Sequence, residues 1–135
     1  MKRNLFIFVL IFLPLTQIFS QTADEYNKSG ISKLKHHNYI GAMRDFNKAI
    51  ELNPKLAEAY YNRGRIKNKL EDYRGAIQDF TEAIEINPKY TDAYYNRGSA
   101  KYNIGDKKGA CLDLSKAGEL GEIKAYDLIK IYCNQ

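Results

Sequence analysis

At 135 residues, with 44% apolar and 27% charged side chains, the chain has the composition of one folded domain and not of a disordered or collagen-like segment. Its net charge of +5 is interleaved with Asp and Glu along every periodic segment, which argues against a stripe tracking phosphates, so nucleic acid is not an expected partner. In chain order the first element is a leader. Lys2 and Arg3, an apolar run from Leu5 to Leu15 broken by Pro14, and Thr16 to Ser20 ahead of Gln21 follow the charged, apolar and small-residue order of a secretory signal peptide. The run is short of the roughly 20 apolar residues that a membrane span needs. Residues 1–20 are therefore read as a cleaved leader and 21–135 as an exported domain, periplasmic or secreted, with membrane contact only if the leader stays attached.

From Ala23 onward the chain repeats with a 34-residue period: Gly30, Gly64 and Gly98 are in step, as are Ala42, Ala76 and Ala110, and Asp45, Asp79 and Asp113. The period divides the chain into units 23–56, 57–90 and 91–124. Within the middle unit Ala59, Tyr60, Gly64, Ile66 and Leu70 recur at helical spacing, and Ala76, Ile77, Phe80, Ala83 and Ile84 do so again, which predicts two helices per unit. Asn38, Asp72 and Asp106 stand where a side-chain oxygen caps the second helix. Pro54 and Pro88 stand where that helix must stop. The glycines cost helix propensity, roughly 1 kcal/mol each, so a close approach to Ala42, Ala76 and Ala110 is expected to explain them. Arg63 and Arg97 are expected to pair with Asp79 and Asp113 inside their units, whereas Ser29 leaves Asp45 without that partner. After Gly118 and Gly121, an amphipathic segment at about 122–132 is expected to form a seventh helix capping the stack. Cys111 and Cys133 are an even count in an exported chain, which points to a disulfide.

Tyr60, Arg63, Gly64 and Lys67, then Ala76, Phe80 and Pro88, closely resemble the tetratricopeptide repeat pattern; Tyr26, Gly30, Ala42, Phe46, Ala49 and Pro54 repeat it in unit one, and Tyr94, Gly98, Ala110, Leu114 and Ala117 in unit three. The resemblance implies an all-α solenoid of three helix-turn-helix repeats with a C-terminal capping helix, similar to exported bacterial members. It also implies a concave face lined by the first helices. On that face Asn62 and Asn96 are placed to pair with a peptide backbone, and Tyr61, Tyr95, Tyr102, Arg65 and Asn68 to supply contact area. Asn27, Ile31, Leu34 and Ser99 complete the inward stripe. Some members grip the terminal carboxylate of chaperones with Lys, Asn and Arg. The matching positions here are Asn27, Ile31, Asn62, Asp92 and Asn96, of which only Asn62 agrees, and Asp92 would repel a carboxylate.

No convergent catalytic or metal-binding group is evident. His36 and His37 are adjacent and diverge by about 100° on a helix, and no phosphate loop, nucleophile elbow or Cys-x-x-Cys pair is present. The sequence thus points to a non-catalytic protein or peptide adaptor without a cofactor. The alternatives are a structural module of an envelope assembly and, remotely, a cell-envelope hydrolase. The sequence assigns no oligomeric state.

Overall fold

The computed structural model describes the backbone of residues 15–134 and the side chains of residues 21–134. The expected leader lies outside the described residues except for 15–20, whose backbone is helical and continuous with the first helix. Among the described residues there are helices and no strands: α1 (Leu15–Lys35), α2 (Tyr39–Leu52), α3 (Ala57–Lys69), α4 (Tyr73–Ile86), α5 (Thr91–Asn103), α6 (Lys107–Glu119) and α7 (Lys124–Tyr132). None of them is long and apolar enough to cross a membrane.

Local chemistry sets these boundaries. Asn38, Asp72 and Asp106 each accept a hydrogen bond from the backbone N–H three residues on, at 2.9, 3.0 and 2.9 Å, and so satisfy an orphan donor at the start of α2, α4 and α6. Ahead of each cap the chain turns through a left-handed residue: His37 at φ 59°, Glu71 at φ 63° and Gly105 at φ 87°. Only unit three uses glycine there, so His37 and Glu71 each carry a backbone penalty of roughly 1 kcal/mol. At the other end of the second helices, Asn53 and Asn87 adopt extended backbone ahead of Pro54 and Pro88. Their side chains accept from Lys55 N and Lys89 N at 3.1 Å, closing the turn to the next unit.

Each first helix packs on the second helix of its own unit, each second helix packs on the next first helix, and α1, α3 and α5 touch in succession. The apolar clusters lie across unit boundaries: Phe46 and Ala49 with Ala59 and Ile66, Ala83 and Ile84 with Ala93, and Leu114 and Ala117 with Ala125 of α7. No unit can bury its apolar surface alone, so stacking is the fold. The close approach expected of the glycines against Ala42 and Ala76 is made instead against rings. A Cβ on Gly30 would lie 2.7 Å from Phe46, and one on Gly64 would lie 2.8 Å from Phe80. In units one and two the aromatic side chain is what the missing Cβ makes room for; in unit three a Cβ on Gly98 would lie 3.0 Å from Leu114 and 3.1 Å from the Ala110 carbonyl, the approach expected there.

The polar ties are equally periodic. Arg63 holds Asp79 with both arms of its guanidinium, at 2.9 and 2.6 Å, and Arg97 holds Asp113 at 2.8 and 2.7 Å. The third nitrogen reaches back to the preceding unit, from Arg63 to Asn47 at 2.9 Å and from Arg97 to Thr81 at 3.1 Å. The hydrogen bond to Asp79 holds the Arg63 guanidinium above its ordinary pKa, against burial, which works the other way. Asp45 lacks the arginine, as expected, and has two other partners: Lys33 and Ser29 each approach it at 2.6 Å. Ser29 stands at the arginine position, and Lys33 holds Asp45 as Lys67 and Lys101 hold Asp79 and Asp113.

Candidate functional site

The side chains that α1, α3 and α5 turn away from the second helices form a groove. It contains a cavity of about 450 Å³ whose walls include Ile31, Leu34, Arg65, Asn68 and Asn96. A bound segment would meet both apolar and polar side chains there, the usual make-up of a recognition site. Arg65 is exposed, and its guanidinium lies 5.8 Å from the Tyr61 ring centroid while donating to Asn62 Oδ1 at 3.2 Å. Asn96 donates through Nδ2 to the Asp92 carbonyl at 2.8 Å and to the Tyr61 hydroxyl at 3.2 Å. Asn68 has a buried Oδ1 with no hydrogen-bond partner among the described residues.

The seven residues expected to bind a peptide separate into two groups. Arg65, Asn68 and Asn96 meet in the cavity. The others are drawn into packing. Asn62, expected to face solvent, is only 4% exposed, and its Oδ1 accepts from Arg65 of the same helix. Asn27 is equally buried and donates to Glu58 of α3 at 2.7 Å. Tyr61 lies between Phe80 and Tyr90, with centroids 5.9 and 4.9 Å away, and burial foremost, then the charge of Asp92, pushes its phenol above the ordinary value. Tyr95 packs against the cluster that α7 closes, and Tyr102 stacks on Tyr132 of α7 at 3.6 Å and an interplanar angle of 7°. The capping helix therefore occupies the groove side of unit three. Ser99 is partly buried and takes no part in the cavity wall.

Four groove residues escaped the sequence reading: Lys35, His37, Tyr39 and Lys69 also line the cavity. The signal for the lysines was present, since they stand one period apart at the last residues of α1 and α3. His37 is exposed and lines the same cavity, whereas the Nδ1 of His36 lies 2.8 Å from the Ser32 carbonyl. Among the described residues no group of three His, Cys, Asp or Glu converges to hold a metal ion.

At the far end of the stack Cys111 of α6 and Cys133 behind α7 form a disulfide across a Cα–Cα distance of 5.9 Å. Gly118 lets the Tyr126 ring lie against α6, since a Cβ there would come within 3.0 Å of it. Ala125 is fully buried, and Leu128, Ile129 and Tyr132 pack beside it, so α7 covers the face that a fourth unit would otherwise take.

Comparison with known proteins agrees with this geometry. A tetratricopeptide repeat model matches residues 57–90 and a second repeat model matches 38–69. Among solved structures, the first tetratricopeptide domain of Spaghetti (RPAP3), bound to the HSP90 peptide SRMEEVD, is 24% identical with a TM-score of 0.82, covering 85% of this chain and 93% of its own. The Arabidopsis OM64 tetratricopeptide domain is 27% identical with a TM-score of 0.81, over 84% of this chain and 96% of its own. The second Spaghetti domain, bound to the same peptide, is 26% identical with a TM-score of 0.75, over 78% and 96%. No match was found among curated protein sequences. The repeat matches, the shared solenoid and the internal period agree: the chain is a tetratricopeptide-repeat protein.

Proposed function

We propose that this protein is an exported, non-catalytic adaptor that holds an extended segment of a partner in the groove formed by α1, α3 and α5. The observation that carries the reading is the cavity itself, where Arg65, Asn68 and Asn96 from two successive first helices face a common space above Ile31 and Leu34. An amide offers both a donor and an acceptor to a peptide backbone, and Arg is among the residue types that dominate binding energy at interfaces. The similar domains of Spaghetti hold a peptide, which supports a protein or peptide partner here. The HSP90 peptide itself does not suit this groove, since Asn27 and Asn62 are buried and the exposed Asp92 stands beside Asn96, whose amide its carbonyl holds.

The test uses the chain recovered from the exported fraction, with its N-terminus read by mass spectrometry and a partner captured by cross-linking. Gln21 is expected as the first residue, and an intact Met1 on the soluble exported form overturns the leader. Arg65→Ala with Asn96→Ala is expected to weaken the partner by about 2 kcal/mol or more with the helical circular dichroism unchanged. Unchanged affinity in that folded variant favours the structural-module reading instead, for which the outward Ile123 and Ile131 of the capping end, 77% and 53% exposed, are the supporting observation.

A further inference from the structure

The three units do not contribute alike to the groove. Ile31, Arg65 and Ser99 stand one period apart, and Leu34, Asn68 and Tyr102 form a second such row. In units one and two both positions line the cavity, and in unit three neither does. Tyr102 lies instead under Tyr132 of α7, with ring centroids 3.6 Å apart and planes 7° from parallel, while Tyr95 packs on the same cluster as Leu128, Ile129 and Tyr132. Tyr132 thus stands against unit three where, in units one and two, an occupant of the groove would stand. Apart from one covalent bond, little holds it there. The helix has nine residues, fewer than the roughly 12 to 15 at which an isolated helix persists in water. Ala125 is its one buried residue, and Ile123, Tyr126 and Ile131 are exposed. It joins α6 through Gly121, exposed at φ 107°, a backbone that favours glycine. Cys133, next to Tyr132, is bonded to Cys111 of α6, and neither cysteine is buried, so the bridge is open to attack by a thiolate.

We propose that α7 is a redox-released cover. With the bridge closed, Tyr132 fills the share of the groove that belongs to unit three; with the bridge reduced, α7 swings away about Gly121 and uncovers Tyr95 and Tyr102. This rests on the groove reading above and adds a control to it. The reductant is a dithiol, a small molecule or a protein with two neighbouring thiols. One of its thiolates attacks a sulfur of the bridge to form a mixed disulfide, and its second thiol then displaces the first. The dithiol leaves as a disulfide and Cys111 and Cys133 remain as thiols, so two electrons and two protons pass to the chain. The 22-residue separation sets the leverage. Closing a loop of that length makes separation of its ends on the order of a hundredfold rarer in the chain-entropy model, and reduction removes the restraint.

The test compares the purified full chain with its bridge intact, the same chain in dithiothreitol, and the Cys111→Ser/Cys133→Ser variant. Amide hydrogen exchange read by mass spectrometry is expected to run about tenfold or more faster across residues 124–132 in both bridge-free forms, with α3 and α4 unchanged. Hydroxyl-radical footprinting of the variant, which needs no added thiol, is expected to show Tyr95, Tyr102 and Tyr132 gaining reactivity while Tyr61 does not. If the variant loses helical circular dichroism, the reduced native chain, freed of dithiothreitol without air, takes its place in the footprinting. An α7 that stays protected without the bridge overturns the proposal, as does a released α7 that leaves Tyr102 no more reactive. Loss of protection spreading through α5 and α6 also overturns it, since the bridge is then a staple of the whole unit. Neither measurement needs a partner, so they stand apart from the Arg65→Ala/Asn96→Ala test of the groove. A partner that depends on Arg65 and Asn96 but binds both redox forms equally overturns the control and leaves the groove reading standing.

Discussion

Units one and two answer the same electrostatic problem differently. Each buries an aspartate on its second helix, Asp45 at 6% and Asp79 at 2% exposure. In unit two Arg63 and Lys67 surround the carboxylate, and Arg63 also grips Asn47 of the unit before. Unit one has no preceding repeat in the 34-residue register to grip, and there Ser29 and Lys33 suffice. The arginine is thus a tie between units as much as a counter-ion within one. Its absence at position 29 marks the end of the stack in the sequence.

The largest expected effect breaks that contrast at the carboxylates. Asp79→Ala leaves Arg63 and Lys67, 19% and 21% exposed, without their partner, at a cost of roughly 3 to 5 kcal/mol. Asp45→Ala strands only Lys33, which at 39% exposure regains water, so about 1 kcal/mol is expected. Urea denaturation of both variants measures the difference, and equal midpoint shifts would contradict the comparison. A smaller effect is expected from Gly64→Leu, which drives a side chain into the Phe80 ring and should cost roughly 1 to 3 kcal/mol, against about 0.5 or less for the exposed Lys89→Gln. Indistinguishable thermal melts would count against the ring contact. The smallest concerns pH. Burial raises the Asp45 carboxyl, but the hydrogen bonds from Lys33 and Ser29 outweigh it and hold the pKa below the ordinary value. A depressed folded pKa gives stability that is present above the unfolded pKa and lost as pH falls through the folded one. Asp45→Asn is therefore expected to flatten the acid limb of the stability profile below about pH 4. An acid limb as steep as that of the native chain would refute it.

Much of the architecture was legible because it is fixed locally. The caps at Asn38, Asp72 and Asp106 need only a side-chain oxygen and a backbone N–H three residues on. The pairs Arg63–Asp79 and Arg97–Asp113 were visible as matching offsets in the repeat. The Lys33–Asp45 pair was equally legible in the period, since Lys33, Lys67 and Lys101 stand in step one turn beyond Ser29, Arg63 and Arg97. The groove was harder. Repeat position alone does not decide whether an amide is buried. Asn62 and Asn96 occupy the same repeat position, yet only Asn62 is buried. The loss of Tyr102 to Tyr132 depends on how α7 returns across unit three, which no repeat period encodes.

The disulfide at the end of the stack has a directional consequence. A repeat array comes apart most readily at its ends, where a unit has a neighbour on one side only. Cys111 and Cys133, 22 residues apart, clamp the last helix to the last full unit and limit how far that terminus can open even in the unfolded chain. The opposite terminus has no such clamp, and its first unit lacks the arginine tie. The solenoid is therefore a zipper with one end sewn shut, opening from α1 and α2 inward. Since α1 supplies Ile31, Leu34 and Lys35 to the groove, an occupant seated there fastens the loose end.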